Sequence, residues 1–262
     1  MLKKITLLLL TVVFIQTGQL SAEPMAVHNT RGDWYDVTAD NYRCTFYNGC
    51  MYPVWFTSAD GSWEFPRGFL LDWVKKSDAP DTELHYLRND HFAEVAVIEN
   101  TDSSLVVECT GRFCKDIYIY PGVVARYRWT LQRNSPEILL QGEIYFEEGS
   151  TRQLTLTNLG SMAFRNMPFE QVQLGSSAPQ KFRTAGQKPQ AFTASDGVML
   201  IAENNLAIGI SSPAVAWNNS FNRYYTYISR NVPVDKRLWN GLEPLKFEVK
   251  FKVQGRTVSG RN

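Results

Sequence analysis

The chain has 262 residues, with 27 Lys and Arg against 26 Asp and Glu. So even a balance excludes the clustered basic excess of a nucleic-acid binder and the polybasic patch of a membrane-surface protein. Aromatic residues make up 13% of the sequence, enough to fill the core of a β-sandwich of about 240 residues, a size that such folds reach as one domain.

The first 22 residues read as a secretory signal. Lys3 and Lys4 supply a basic start, residues 5–15 are apolar apart from Thr6 and Thr11, and Leu20-Ser21-Ala22 precedes Glu23-Pro24. This pattern predicts cleavage after Ala22 and export to the periplasm or the extracellular space. The apolar run falls short of the ~20 residues of a membrane span, and no later segment approaches that length, so no span is expected in the mature chain. Loss of Lys3 and Lys4 leaves 25 basic and 26 acidic side chains.

Strand signals dominate the mature chain. Residues 42–55 read as a strand, an Asn48-Gly49 turn and a return strand, with Asp60-Gly61 as the next turn. Residues 94–99 and 104–108 flank a turn at 100–103 and form a hairpin. Further on, Ala125, Tyr127, Trp129 and Leu131 alternate with Arg126, Arg128 and Thr130. Ile138, Leu140, Gly142 and Ile144 alternate with Leu139, Gln141, Glu143 and Tyr145. A short strand is expected over 153–157, and a second hairpin over 198–202 and 206–210 around Glu203-Asn204-Asn205. Phe247, Val249, Phe251 and Val253 alternate with Lys246, Glu248, Lys250 and Lys252, the mark of a half-buried strand with one charged face. Residues 174–188 and the amide-and-aromatic run 217–223 read as loops, and 259–262 as a disordered tail. No window shows helical periodicity. Strands recurring about every ten residues predict one antiparallel, all-β sandwich domain over 23–258.

The four cysteines fall in two close pairs. Cys44 and Cys50 bracket Asn48-Gly49, and Cys109 and Cys114 bracket Thr110-Gly111. In an oxidising compartment pairing is expected, and four cysteines allow three connectivities. The two local bonds are favoured, because a tight turn brings Cα atoms within the ~7 Å that a disulfide requires. Neither spacing is a zinc-type C-x-x-C, so no metal site is expected, and no motif calls for a cofactor.

Three segments together resemble one family. The passage Tyr42-Arg43-Cys44-Thr45-Phe46-Tyr47-Asn48-Gly49-Cys50-Met51-Tyr52-Pro53-Val54-Trp55 opens it, the 95–107 hairpin comes next, and Tyr127-Arg128-Trp129-Thr130-Leu131 leads to Ser135-Pro136-Glu137-Ile138-Leu139-Leu140. This order is similar to the galactose-mutarotase-like β-supersandwich of aldose epimerases and of sandwich domains in several polysaccharide lyases and glycoside hydrolases. The resemblance covers roughly residues 41–146. It implies a concave sheet face that holds sugar. Epimerases of the family also use a His acid and a Glu base, and the Asn-His context that carries their His is missing here.

Two groups of side chains are candidates for that chemistry. Leu84 to Phe92 holds His85, Tyr86, Arg88, Asp90 and His91. A His, an Arg and an acid can polarise a carboxylate and move a proton, so His85, Tyr86 and His91 are the catalytic candidates of a lyase or an epimerase. The bland reading is a polar loop entering a strand. Arg126 and Arg128 share one strand face, with Glu143 on the next strand, and suit a carboxylate or sulfate. Trp217 and Trp239 sit in amide- or Gly-flanked contexts where an indole can stack on a sugar. These readings together predict an exported protein that binds or processes a glycan, with an anionic preference. A polysaccharide lyase or sugar epimerase and a non-enzymatic envelope assembly protein are the alternatives.

Overall fold

The computed structural model describes residues 23–254 apart from 60–67, 71, 88–89, 148–152, 157, 166–168, 182–189, 194–196, 203–206, 213–215, 222–224 and 231–237. The segment read as a signal, Arg88, residues 182–188 of the expected 174–188 loop and the expected 259–262 tail lie outside these residues, and within the described part of that loop Gln180–Lys181 form a short strand.

The first strands, β1 (Ala26–Asn29), β2 (Trp34–Thr38), β3 (Tyr42–Tyr47) and β4 (Val54–Ser58), form a four-stranded meander. Short strands β5 (Gly68–Leu70), β6 (Trp73–Lys76) and β7 (His85–Tyr86) come after it, with a single 3-10 turn at Asp81–Glu83. Then come the long strands β8 (Glu94–Asn100), β9 (Ser104–Lys115), β10 (Tyr118–Gln132) and β11 (Glu137–Phe146). Next are β12 (Leu154–Thr155), β13 (Met162–Arg165), β14 (Phe169–Leu174), β15 (Gln180–Lys181) and β16 (Gln190–Thr193). The described set closes with β17 (Val198–Ala202), β18 (Ala207–Ser211), β19 (Ala216–Phe221), β20 (Tyr225–Arg230), β21 (Leu238–Trp239) and β22 (Leu245–Gln254).

A sheet of thirteen described strands carries the fold. Its centre runs β17-β18-β22-β11-β10-β9, and β8 also pairs with β9. A five-stranded sheet, β16-β19-β20-β13-β5, and the β1–β4 meander complete the sandwich. The alternations seen in the sequence set which face turns inward. Tyr127, Trp129 and Leu131 of β10, Leu140 and Ile144 of β11, and Val249 and Phe251 of β22 are buried in one core. Trp129 stacks on Phe251 at 5.6 Å and meets Phe46 of the meander edge-on at 6.4 Å. Both expected hairpins are present, as β8–β9 and β17–β18.

Three expectations are corrected. The described part of the 217–223 run is not a loop: residues 216–221 form β19, paired on both sides by β16 and β20. Its Trp and Phe supply enough β-propensity to carry the amides between them. Thr110-Gly111 is not a turn either, because β9 runs straight through it to Lys115. A Cβ on Gly111 would lie 2.5 Å from Met51 Sδ, so the glycine serves close packing against the meander.

That straight strand removes one local disulfide. Cys109 and Cys114 are five residues apart on an extended chain, roughly 16 Å at ~3.3 Å per residue, far beyond bonding reach. The Cys44–Cys50 bond is not formed either; all four cysteines are free thiols. Residues 48–51 leave their own hairpin to pack elsewhere. Gly49 N–H donates to Ala93 O at 2.6 Å, Asn48 Oδ1 accepts from Val95 N–H at 2.9 Å, and Met51 O accepts from Trp129 Nε1 at 3.0 Å. The Asn-Gly signal marks a real turn, with Gly49 at φ 84°, but long-range hydrogen bonds decide where Cys50 goes.

Candidate functional site

The outward face of the central strands is a grid whose rows are fixed by strand register. One row runs Thr110, Arg126, Glu143, Lys246 across β9, β10, β11 and β22, and the next runs Glu108, Arg128, Gln141, Glu248. Polar residues stand here because the alternate residues of the same strands fill the core. Opposite charges meet along and between the rows. Arg128 holds Glu108 at 2.9 Å, Lys246 holds Glu143 at 3.5 Å, and Arg126 lies between Glu108 at 3.7 Å and Glu143 at 3.8 Å. Gln141 donates to Glu248 at 3.4 Å.

These side chains line an open depression of about 480 Å³. Its charged walls are balanced, with Arg126, Arg128 and Lys246 against Glu108, Glu143 and Glu248. Tyr145 stands beside it on β11. Its hydroxyl lies 3.1 Å from Arg126 NH2, and the guanidinium lies 5.2 Å from the ring centroid. The depression thus offers a ring edge, paired donors and paired acceptors on one surface, a set that matches the hydroxyls and faces of a sugar.

The inner side of β10 is anchored. Tyr127, between the two arginines in sequence, donates its hydroxyl to Asp72 Oδ2. Asp72 also accepts Gly160 N–H at 2.8 Å and Ser161 N–H at 3.0 Å, and it is wholly buried. Burial pushes its carboxyl up to about 6, against the opposing pull of these hydrogen bonds and of nearby Arg230. Burial and the adjacent carboxylate push the Tyr127 hydroxyl far above its ordinary value, which keeps it a donor. Arg230 closes the cluster, donating from Nε to Ser212 Oγ at 2.9 Å and lying 5.2 Å over the Phe247 ring.

The structure brings Arg126, Arg128 and Glu143 together. It does not bring His85, Tyr86 or His91 to them: none of the three lines the depression. His85 sits on β7, which joins the sheet through Tyr86 opposite Cys114, and its ring meets Tyr120 edge-on at 5.0 Å. Burial lowers its basicity. His91 is exposed in the turn before β8, and Asp90 of the same segment caps that turn, accepting Phe92 N–H at 2.9 Å and Arg112 N–H at 2.6 Å. Trp239 is 5% exposed, stacks on Phe146 at 4.7 Å and donates Nε1–H to Glu243 O, so it is part of the core. Trp217 lies on β19 in the five-stranded sheet, away from the grid, and its side chain is outside the described set. Glu108, Lys246 and Glu248 are the members that sequence reasoning missed. The charged alternation of β22 was the available signal.

No protein-family profile and no curated sequence matches the chain. Solved structures do. The GH36 α-galactosidase AgaB from Geobacillus stearothermophilus aligns with a TM-score of 0.61 at 12% identity, over 88% of this chain and 41% of its own. An Escherichia coli K12 protein assigned as an aldose 1-epimerase aligns with a TM-score of 0.53 at 9% identity, over 86% of this chain and 99% of its own. A galactose mutarotase related enzyme from Lactobacillus acidophilus gives 0.52 at 10% identity, over 85% and 97%. The chain spans about two fifths of the α-galactosidases and nearly all of the two epimerase-type proteins. It has the galactose-mutarotase-like fold, as the resemblance read over residues 41–146 implies. The related AgaA α-galactosidase was solved with stachyose and with raffinose.

Proposed function

We propose that this chain is an exported carbohydrate-binding sandwich that receives glycans on the Arg126–Glu143 face. The observation that carries the reading is the balanced grid of three cations and three carboxylates in one depression, with Tyr145 at its side. Pre-paired charges hold their geometry and still offer outward donors and acceptors to hydroxyl groups. The likeness of the fold to carbohydrate-active proteins supports the reading. The N-terminal sequence pattern supports export, with the mature chain starting near Glu23. A lyase or epimerase built on His85 and His91 is disfavoured because neither histidine lines the depression that holds Arg126 and Arg128, which leaves binding as the first reading.

A glycan array with purified mature protein, followed by titration of the best ligand, tests the proposal. Arg126→Gln with Arg128→Gln is expected to weaken binding at least tenfold while moving the thermal midpoint little, because both side chains are about half exposed. A wild type that binds no glycan, or a double variant that binds normally, overturns it.

A further inference from the structure

Beyond the two balanced rows the grid changes character. The third row runs Val106, Thr130, Leu139, Lys250, Ser211, and its lysine is flanked by Leu139 and Ser211 with no acid on either side. In the fourth, Lys252 stands between Glu137 and Gly209. Arg126, Arg128 and Lys246 each hold a carboxylate, whereas neither Lys250 nor Lys252 has an ion-pair partner among the described residues. Cross-strand pairing of opposite charges is the ordinary way a sheet face satisfies itself. Here no ion pair forms beyond the second row among the described residues, and Glu137 opposite Lys252 is the one acid set against the two lysines.

The same two lysines line a second depression, of about 180 Å³. Its other walls include Glu137 opposite Lys252, the glycines Gly175, Gly197 and Gly209, and Met199 and Ser211, so two lysines face one carboxylate over a floor that is partly bare backbone. Gly197 has φ +66°, and a Cβ there would lie 2.8 Å from Ile210 O, so position 197 itself admits no side chain. The two depressions are neighbours along β22. Glu248 lines the first and Lys250 the second, one step of about 7 Å apart on the same strand face.

We infer that Lys250 and Lys252 form an acidic-group subsite, which takes a carboxylate or sulfate carried by a glycan whose neutral rings lie in the Arg126–Glu143 depression. This rests on the carbohydrate reading above and moves the anionic preference from the arginines, whose charges are already matched, to the lysines. The basic pair over its backbone floor supplies attraction, and the neighbouring balanced grid supplies the rest of the contact.

The test uses three matched sets of immobilised oligosaccharides: neutral galacto-oligosaccharides, oligogalacturonates and sulfated galacto-oligosaccharides. The wild type is expected to bind one or both acidic sets about tenfold more tightly than the neutral set, and the two acidic arms separate carboxylate from sulfate. Lys250→Gln with Lys252→Gln is expected to bring that ratio to about one, leave neutral binding in place and keep the thermal midpoint. A wild-type ratio near one, or a ratio that survives the lysine substitutions, overturns the inference while leaving glycan binding intact. Loss of the ratio only in the Arg126→Gln, Arg128→Gln variant overturns it too, by returning the anion to the arginines. A wild type that binds none of the sets removes both this subsite and the reading beneath it.

Discussion

Tyr127 donates its hydroxyl to Asp72 in the sealed space under the strand that carries Arg126 and Arg128. The two residues are 55 positions apart in sequence, and the bond ties β10 to the start of β6 and to the Leu159–Ser161 turn. Asp72 is the acceptor for three donors at once, and a buried carboxylate needs that many to stay in place. Tyr127→Phe should therefore destabilise the fold by roughly 1–3 kcal/mol, since it leaves a buried acceptor short of a partner. Urea unfolding at neutral pH measures this.

The same carboxyl makes stability depend on pH. Burial raises the folded-state value to about 6 from 3.8. Between those values the folded protein keeps a proton that the unfolded chain has released. The contribution of Asp72 is thus full below pH ~4 and is lost as pH rises to ~6, by at most about 3 kcal/mol. Asp72→Asn removes the titration. Unfolding free energies at several pH values from 4 to 7 should fall less with pH in the variant than in the wild type; parallel curves would sink the claim.

Gly142 is where β11 has no side chain, and the Phe247 ring takes that space. A Cβ at this position would stand 2.1 Å from Phe247 Cζ. The ring cannot retreat freely, because Tyr127 meets it edge-on at 5.3 Å and Arg230 lies over it. Gly142→Ala should cost roughly 1–3 kcal/mol by overpacking. The paired variant Gly142→Ala with Phe247→Leu should recover part of the loss, a coupling that a double-mutant cycle reads out.

Trp239→Ala should cost about 3–5 kcal/mol, the range for emptying a buried aromatic site. The stacked Phe146 and the Nε1–H bond to Glu243 O go with it. Trp239→Phe keeps the stack and should cost less. A variant that loses glycan binding but no stability would return Trp239 to the ligand.

The cysteines should behave as sequestered thiols. Burial pushes Cys44 far above its ordinary value, and burial together with the neighbouring Cys50 does the same to Cys109. A thiolate is the reactive form, so iodoacetamide at pH 8 should label Cys44 and Cys109 only after denaturation. Peptide mapping of protein purified without reductant should show no Cys109–Cys114 link.

The long central strands were legible because a half-buried strand writes its faces directly into the chain, whereas short strands such as β1, β2, β13 and β19–β21 were not. Arg126 and Arg128 opposite Tyr127 and Trp129, or Lys246 to Lys252 opposite Phe247 to Val253, admit one reading at a period of two. The same alternation put Arg126, Gln141, Glu143 and Tyr145 on outward faces before any fold was known. Turn chemistry was a weaker guide. Thr110-Gly111 looks like a turn, but the glycine is there so that Met51 can approach, a reason held by a residue 60 positions away.

The sequence by itself determined that this is an antiparallel sandwich and which side chains of the central strands β10, β11 and β22 share a face. Which strands become neighbours was decided only by the tertiary structure. Glu108, Arg128, Gln141 and Glu248 share a row because β9, β10, β11 and β22 pair in that register, and β22 comes to β11 from about a hundred residues away. The His85–His91 segment and Trp239 looked equally available from their neighbours in the chain, yet one lies off the grid and the other in the core. Local sequence carries the alternation of faces, because each residue's orientation is set by its own backbone. Pairing, burial and the matching of charges arise from long-range hydrogen bonds and packing, which no short window contains.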